Sequence, residues 1–223
     1  MSFSLIVPAA AHKPEYDENL PKIFRLNEKG VSHCIEAALG LDLNLFTNIY
    51  ITILKQHDER YGVADMLRIQ LDRAGLTQAK IVILESPTSS QAATIYETIE
   101  REHITGAIFI KDADCSFSVE IFPQNGIVVF PLEKLSQVNP QHKSYVAVDD
   151  MQFITNTIEK RVIDHYFNAG GYCFEDAKTF CDYYSRYAEQ KGLYLSHIVY
   201  AMLLDKFSFR PFVAEDYKDI ELI

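Results

Sequence analysis

The sequence has no tryptophan, only nine glycines in 223 residues, and four cysteines, Cys34, Cys115, Cys173 and Cys181. No two cysteines form a C-x-x-C pair, which excludes the common zinc and dithiol spacings, so all four read as reduced, mostly buried thiols. The histidines form no H-x-x-x-H or H-E-x-x-H, and no G-x-S-x-G is present, which argues against a zinc hydrolase or an ordinary serine hydrolase. No glycine lies between Pro8 and Leu26, so the turn after the first apolar run is neither a P-loop nor a G-x-G-x-x-G dinucleotide turn. No apolar run is long enough to cross a bilayer, and the N-terminus lacks the basic start of a signal peptide. The expectation is therefore a cytoplasmic protein without membrane insertion. Positive charge is also scarce: 21 Lys and Arg face 31 Asp and Glu, a net charge of −10. A chain that grips a phosphate backbone usually shows a basic face, so nucleic acid is not an expected partner. A single nucleotide remains possible, because its pocket needs only a few local cations.

What is present is a regular alternation. Residues 3–11 form a continuous apolar run, as in a strand buried on both faces. Helical spacing follows at 31–39, with Ser32 as a candidate cap, and then a β-branched strand, NIYITIL, at 48–54. A helix is predicted over 61–74, with Gly75 as its stop. KIVIL at 80–84 is a third strand. Ser89 or Ser90 can cap a helix that runs to about 102, and AIFI at 107–110 is a fourth strand. Strand, helix, strand in this rhythm predicts an α/β fold, a Rossmann-like, mostly parallel sheet flanked by helices. Beyond about 115 the rhythm becomes β-rich, with strands at 126–132, 144–148, 153–158 and 166–174. Helices at 177–190 and 196–205 follow, and then a strand near 207–213. With no evident linker, residues 1–223 read as one domain, with a nucleotide-binding half (1–115) and a second half (116–223) sharing one sheet.

In an open α/β sheet, ligands bind beyond the carboxyl ends of the strands. The D-x-D of Asp112 and Asp114 falls there, directly after AIFI. Two carboxylates at a strand end suit a hard cation such as magnesium, although a solvated acidic turn has the same pattern. The stretch from Ser86 to Gln91 can cap a helix or hydrogen-bond a base. Lys13, Lys22 and Arg25 offer cations near the first turn. In YFNAGGYCF, Gly170 and Gly171 mark a bulge or a close backbone approach.

Taken in order, these segments resemble the sugar-phosphate nucleotidyltransferase family, which shares its fold with GT-A glycosyltransferases. LIVPAAA followed by LPK puts Lys22 at the family's signature lysine, a catalytic position. The resemblance implies nucleotide binding by Ala10, Lys13, Gln91, Ala92 and Asp112. KDADCSF matches the strand-end acidic motif, which implies catalysis at Asp114 and a magnesium site on Asp112, Asp114 and, from the late strand YKDI, Asp219. IEKRVIDHYFNAGGYCF matches the acceptor segment and implies acceptor contacts from Glu159, Lys160, Asn168 and Gly170. The implied partners are a nucleoside triphosphate and a phosphorylated sugar or similar small acceptor, with products serving surface polysaccharide. The chain departs from the family at Ala10, Ala11, His12, Lys13 and Pro14, where a Gly-x-Gly-x-Arg loop is expected, and at Glu221 and Leu222. Lys13 can replace the arginine's charge but not its fork. Two alternatives follow: a metal-dependent GT-A glycosyltransferase using a nucleotide-sugar, or a non-catalytic nucleotide-binding relative. Nothing in the sequence sets an oligomeric state.

Overall fold

The computed structural model describes residues 2–13, 18–135 and 143–219. The first strand, β1 (Phe3–Pro8), has Leu5, Ile6 and Val7 wholly shielded from water, as a strand covered on both faces must be. Pro8 ends it earlier than the predicted residue 11, although Ala9 still donates its amide to the Thr52 carbonyl. β1 lies parallel between β2 (Asn48–Leu54) and β4 (Ala107–Lys111), and β3 (Ala79–Leu84) pairs parallel with β2 at the edge.

The pleat sends alternate side chains to opposite faces. Leu5 and Val7 meet α1 (His33–Leu39) and α3 (Val63–Arg73). Ile6 instead joins the layer of α4 (Gln91–Glu102), α5 (Ala177–Tyr187) and α6 (Leu195–Leu204). Helices therefore cover both faces of a mainly parallel sheet.

The second half extends this sheet. The long strand β9 (Tyr166–Phe174) inserts antiparallel between β4 and β6 (Gly126–Pro131), and β10 (Arg210–Val213) runs parallel to β6 at the far edge. β7 (Ser144–Val148) pairs with one end of β9 and forms a hairpin with β8 (Ile154–Glu159). A separate two-stranded ladder joins β5 (Cys115–Ser118) to β11 (Glu215–Asp219). All four cysteines are free and buried. Among the described residues no helix is long and apolar enough to cross a membrane.

Several local expectations are corrected. The helix expected over 61–74 is α3, and a further helix that was not expected, α2 (Lys55–Tyr61), precedes it across Gly62, which stands in the left-handed region at φ +64°, a conformation that glycine adopts without steric cost. Ser32 occupies the position before α1 but does not cap it, because its amide and hydroxyl both donate to Gln70 Oε1, at 2.8 and 2.9 Å. Of the two candidate caps for α4, Ser90 fills the role, accepting from the Ala93 amide at 3.2 Å. The α5 helix stops at Tyr187 rather than 190, and the last strand of the main sheet begins at Arg210 rather than 207. Pro14, Glu221 and Leu222 lie outside the described residues.

At the β6–β10 seam a Cβ on Gly126 would stand 2.3 Å from Phe212 Cε2 and 2.8 Å from the Arg210 carbonyl oxygen. Gly126→Ala is expected to push β10 outward and destabilise the protein by about 1–3 kcal/mol, measured by urea denaturation. An unchanged midpoint would show that this seam is not close-packed.

Candidate functional site

Three chain segments leave the carboxyl ends of β1, β3 and β4 and face one crevice of about 890 Å³. Its lining includes Ala10, His12, Lys13, Lys22 and Arg25 from the first loop, Ser89, Ser90 and Gln91 from the segment after β3, and Asp112 and Asp114 from the turn after β4. Lys22 begins a single 3-10 turn (Lys22–Phe24), preceded by the extended Pro21 and anchored by the fully buried Phe24. Ala10 is buried in the crevice floor, while Ala92 points its methyl into the core beside Ile6 and Ile95 and is not part of the wall. The crevice thus brings cations from the first loop and carboxylates from the turn after β4 into one lining.

That turn is built around Lys111, whose side chain is wholly buried. A buried ammonium must be satisfied locally. Lys111 Nζ donates to the carbonyls of Asp112 and Cys115, both at 2.8 Å, and to Cys115 Sγ at 3.1 Å, and it lies 4.3 Å from the Phe117 ring centroid. The Cys115 thiol in turn donates to the Ala169 carbonyl at 3.1 Å, which ties the turn to β9. Burial pushes the Cys115 thiol up to about 12, so it stays protonated and serves as a donor.

β9 bulges where it passes this turn: Val128 faces Gly171 while Val129 faces Asn168. The bulge brings the Gly170 carbonyl to the Asp112 amide at 2.8 Å, and the Asn168 side-chain oxygen accepts from the Gly170 amide at 2.8 Å. Gly170 has φ +90°, and a Cβ there would lie 2.7 Å from Cys115 Sγ and 2.9 Å from Asp112 Oδ2. Backbone conformation and close approach both require glycine at this position. Asp112 is also held from the other side, where Gln91 Nε2 donates to its Oδ1 at 2.5 Å.

Asp114 is open to crevice water, yet protein atoms crowd its carboxyl. Partial burial, followed by the charge of Asp112 and more weakly that of Asp219, pushes it up to about 6, while Lys111 pulls it down. Asp219 comes close because it pairs with Cys115 across the β5–β11 ladder. Its own carboxylate is bound by Lys143, and Tyr217 donates to it at 3.2 Å. Among the described residues, no three Asp, Glu, His or Cys side chains converge on a ready-made metal cage. The donor set of Asp112 and Asp114 still fits magnesium, which characteristically takes one or two carboxylates and fills its shell with phosphate oxygens and water.

The remaining residues implied by the resemblance lie beside the crevice rather than in its wall. Glu159 ends β8 and accepts a short hydrogen bond from the Ser196 hydroxyl. Lys160 follows with φ +60°, its ammonium 5.6 Å from the Tyr194 ring centroid. Asn168 is buried, and its Nδ2 makes no hydrogen bond within the described residues. Tyr172 is buried beside it. Burial first, then the charges of Asp112 and Glu159, raise its hydroxyl well above the ordinary tyrosine range, which places both carboxylates in one neighbourhood. No motif or spacing in the sequence singles out Lys111, Lys143, Ser196 or Tyr217 as site residues. Lys111 stands inside the quoted KDADC motif, but its side chain's inward direction left no pattern to find.

No protein-family model matches the chain, and no curated protein matches it. Solved structures do. A nucleoside-diphosphate-sugar pyrophosphorylase from Vibrio cholerae RC9 superposes with a TM-score of 0.74 at 15% identity, over 95% of this chain and 91% of the other. The inositol-1-phosphate CTP transferase from T. maritima gives 0.74 at 16% identity, over 97% and 88%. A UDP-glucose pyrophosphorylase complexed with UDP-glucose gives 0.69 at 10% identity, over 99% and 94%. The chain therefore has the fold of the sugar-phosphate nucleotidyltransferases across nearly its whole length.

A carboxyl raised in the folded state binds protons there more readily than in the unfolded chain. Asp114 therefore favours folding below about pH 4, and this contribution is lost as pH rises through about 6. Asp114→Asn is expected to stabilise the protein at pH 7.5 by about 0.5–1 kcal/mol, the size left after crevice water screens the repulsion. The gain should vanish below pH 4. A gain that stays constant with pH in paired melting curves would remove this assignment.

Proposed function

We propose that the protein transfers a nucleotidyl group from a nucleoside triphosphate to a phosphorylated sugar or a similar small acceptor. The observation that carries this reading is the crevice that gathers Lys13, Lys22 and Arg25 with Asp112 and Asp114 beyond the strand ends. Nucleotidyl transfer needs in-line positioning and neutralisation of phosphate charge more than covalent participation by the protein. Lys22 and Lys13 are disposed toward the phosphates, and Gln91, at the start of α4, toward the base. Asp112 and Asp114 would hold magnesium, which when bound neutralises charge on the phosphate oxygens. Glu159, Lys160, Asn168 and Gly170 would form the acceptor side, with Lys160 meeting the acceptor phosphate, while the buried Asn168 and Gly170 would act through the β9 bulge that they shape. The acceptor oxygen attacks the α-phosphorus, the bond to the bridging oxygen breaks, and pyrophosphate leaves with the electron pair. A role in surface polysaccharide and a cytoplasmic setting belong to the same reading.

The glycine-free first turn favours a second reading. Ala9 and Ala10 are buried, and alanines cannot bring backbone amides against a triphosphate as closely as glycines do. A crevice that binds a nucleotide-sugar without making it would suit that turn, either for glycosyl transfer or as a non-catalytic binder.

Pyrophosphate release is the deciding measurement, with each of five nucleoside triphosphates against a panel of sugar 1-phosphates, with and without magnesium. Magnesium-dependent release with one pair is expected. Asp114→Asn and Lys22→Ala should each lower it by about a hundredfold or more, and Asp114→Asn should abolish the magnesium-dependent rise in melting temperature with the triphosphate. Thermal shifts with nucleotide-sugars alone, and no pyrophosphate from any pair, would replace this reading with the second.

A further inference from the structure

Asp219 pairs with Cys115, the chain neighbour of Asp114, across the β5–β11 ladder, and its charge acts on Asp114; a third carboxylate near two others is unfavourable unless a cation offsets it. The chain supplies that cation. Lys143, directly before β7, forms an ion pair with Asp219 Oδ2 and donates to the Tyr217 hydroxyl at 2.7 Å, while that hydroxyl donates to the same carboxylate. The three groups close a triangle. Lys143 and Asp219 side chains are only 18% and 9% exposed. The ammonium also sits 5.5 Å from the Phe167 ring centroid and 5.3 Å from that of Tyr217. Its backbone is pinned too, since the Lys143 carbonyl accepts from the Lys160 amide at 2.8 Å. A lysine confined by two rings, a hydroxyl and a carboxylate is a fixed charge rather than an arm that swings to substrate.

We propose that Lys143 is a positioning residue, the resident counter-ion of Asp219, and that the site consequently takes one divalent cation, on Asp112 and Asp114, with Asp219 no direct ligand to it. The inference rests on the reading of Asp112 and Asp114 as the metal-holding pair. Lys143 acts through Asp219: it removes that carboxylate from competition for the ion and keeps the local charge one unit less negative.

Mn²⁺ titration of the intact protein, followed by electron paramagnetic resonance without any substrate, tests this. Wild-type protein is expected to bind one Mn²⁺, and Asp114→Asn to weaken it by more than about thirtyfold. Asp219→Asn, which leaves the Lys143 charge uncompensated, should weaken Mn²⁺ by no more than about fivefold, far less than the loss of a ligand. Lys143→Met should tighten Mn²⁺ by about fivefold by uncovering Asp219. Adding Asp219→Asn to Lys143→Met should return the wild-type value, and Lys143→Arg should keep it. If Asp219→Asn weakens Mn²⁺ as much as Asp114→Asn does, or Lys143→Met weakens it, Asp219 is a ligand and the proposal alone is overturned. Absence of Mn²⁺ binding, or binding indifferent to Asp114→Asn, overturns the metal-holding pair and the proposal with it. Should Lys143→Met not fold, Asp219→Asn and Lys143→Arg still decide the question.

Discussion

A positive charge that water cannot reach stands at the end of the central strand, and the site is shaped by the need to satisfy it. Lys111 finds two carbonyls, a thiol sulfur and an aromatic face within reach only if residues 112–115 fold back over it. That fold-back turns Asp112 and Asp114 outward into the crevice and starts β5 in the direction that later meets β11. Removing the ammonium would leave those carbonyls unsatisfied, and leaving it unpaired would be more costly still. The acidic turn is thus specified from below by a residue that never touches the crevice.

The second organising element is β9, which lies beside β4 where a simple doubly wound sheet would have another parallel strand. Its bulge presents the Gly170 carbonyl to Asp112 and leaves no room for a side chain there. One strand therefore holds the acids of the nucleotide half and carries Asn168 and Tyr172 of the other half. The crevice's cations come from a different source, the long connection after β1. Both signs of charge in one crevice follow from this division of labour between segments, within a chain whose net charge is −10.

The core strands were legible because a parallel sheet buried on both faces writes itself as uninterrupted apolar runs. NIYITIL, KIVIL, AIFI and YFNAGGYCF all became strands close to their expected bounds. The bulge at Gly170 was legible too, since paired glycines inside an apolar strand have few other uses. The α2 helix was missed because KQHDERY is polar nearly throughout, with only His57 buried, so no apolar period announces it. β5 was hidden in a motif read for its carboxylates. The residues that position the site were the least visible. Lys111 and Lys143 are lysines, a type that is almost always solvated, and only three-dimensional packing reveals that these two are enclosed. Ser32 shows the reverse error, a residue at the right place for a cap whose hydroxyl is drawn to Gln70 instead.

The insertion of β9 also orders events in time. The parallel strands β1 to β4 are all complete by Lys111, whereas β9, which pairs antiparallel with β4, begins only at Tyr166. A chain that is made from its N-terminus can therefore pair the first four strands before β9 exists. A ribosome-bound chain that has not yet reached Tyr166 thus holds the crevice's cations and the first four strands, but not the strand that fixes its acids.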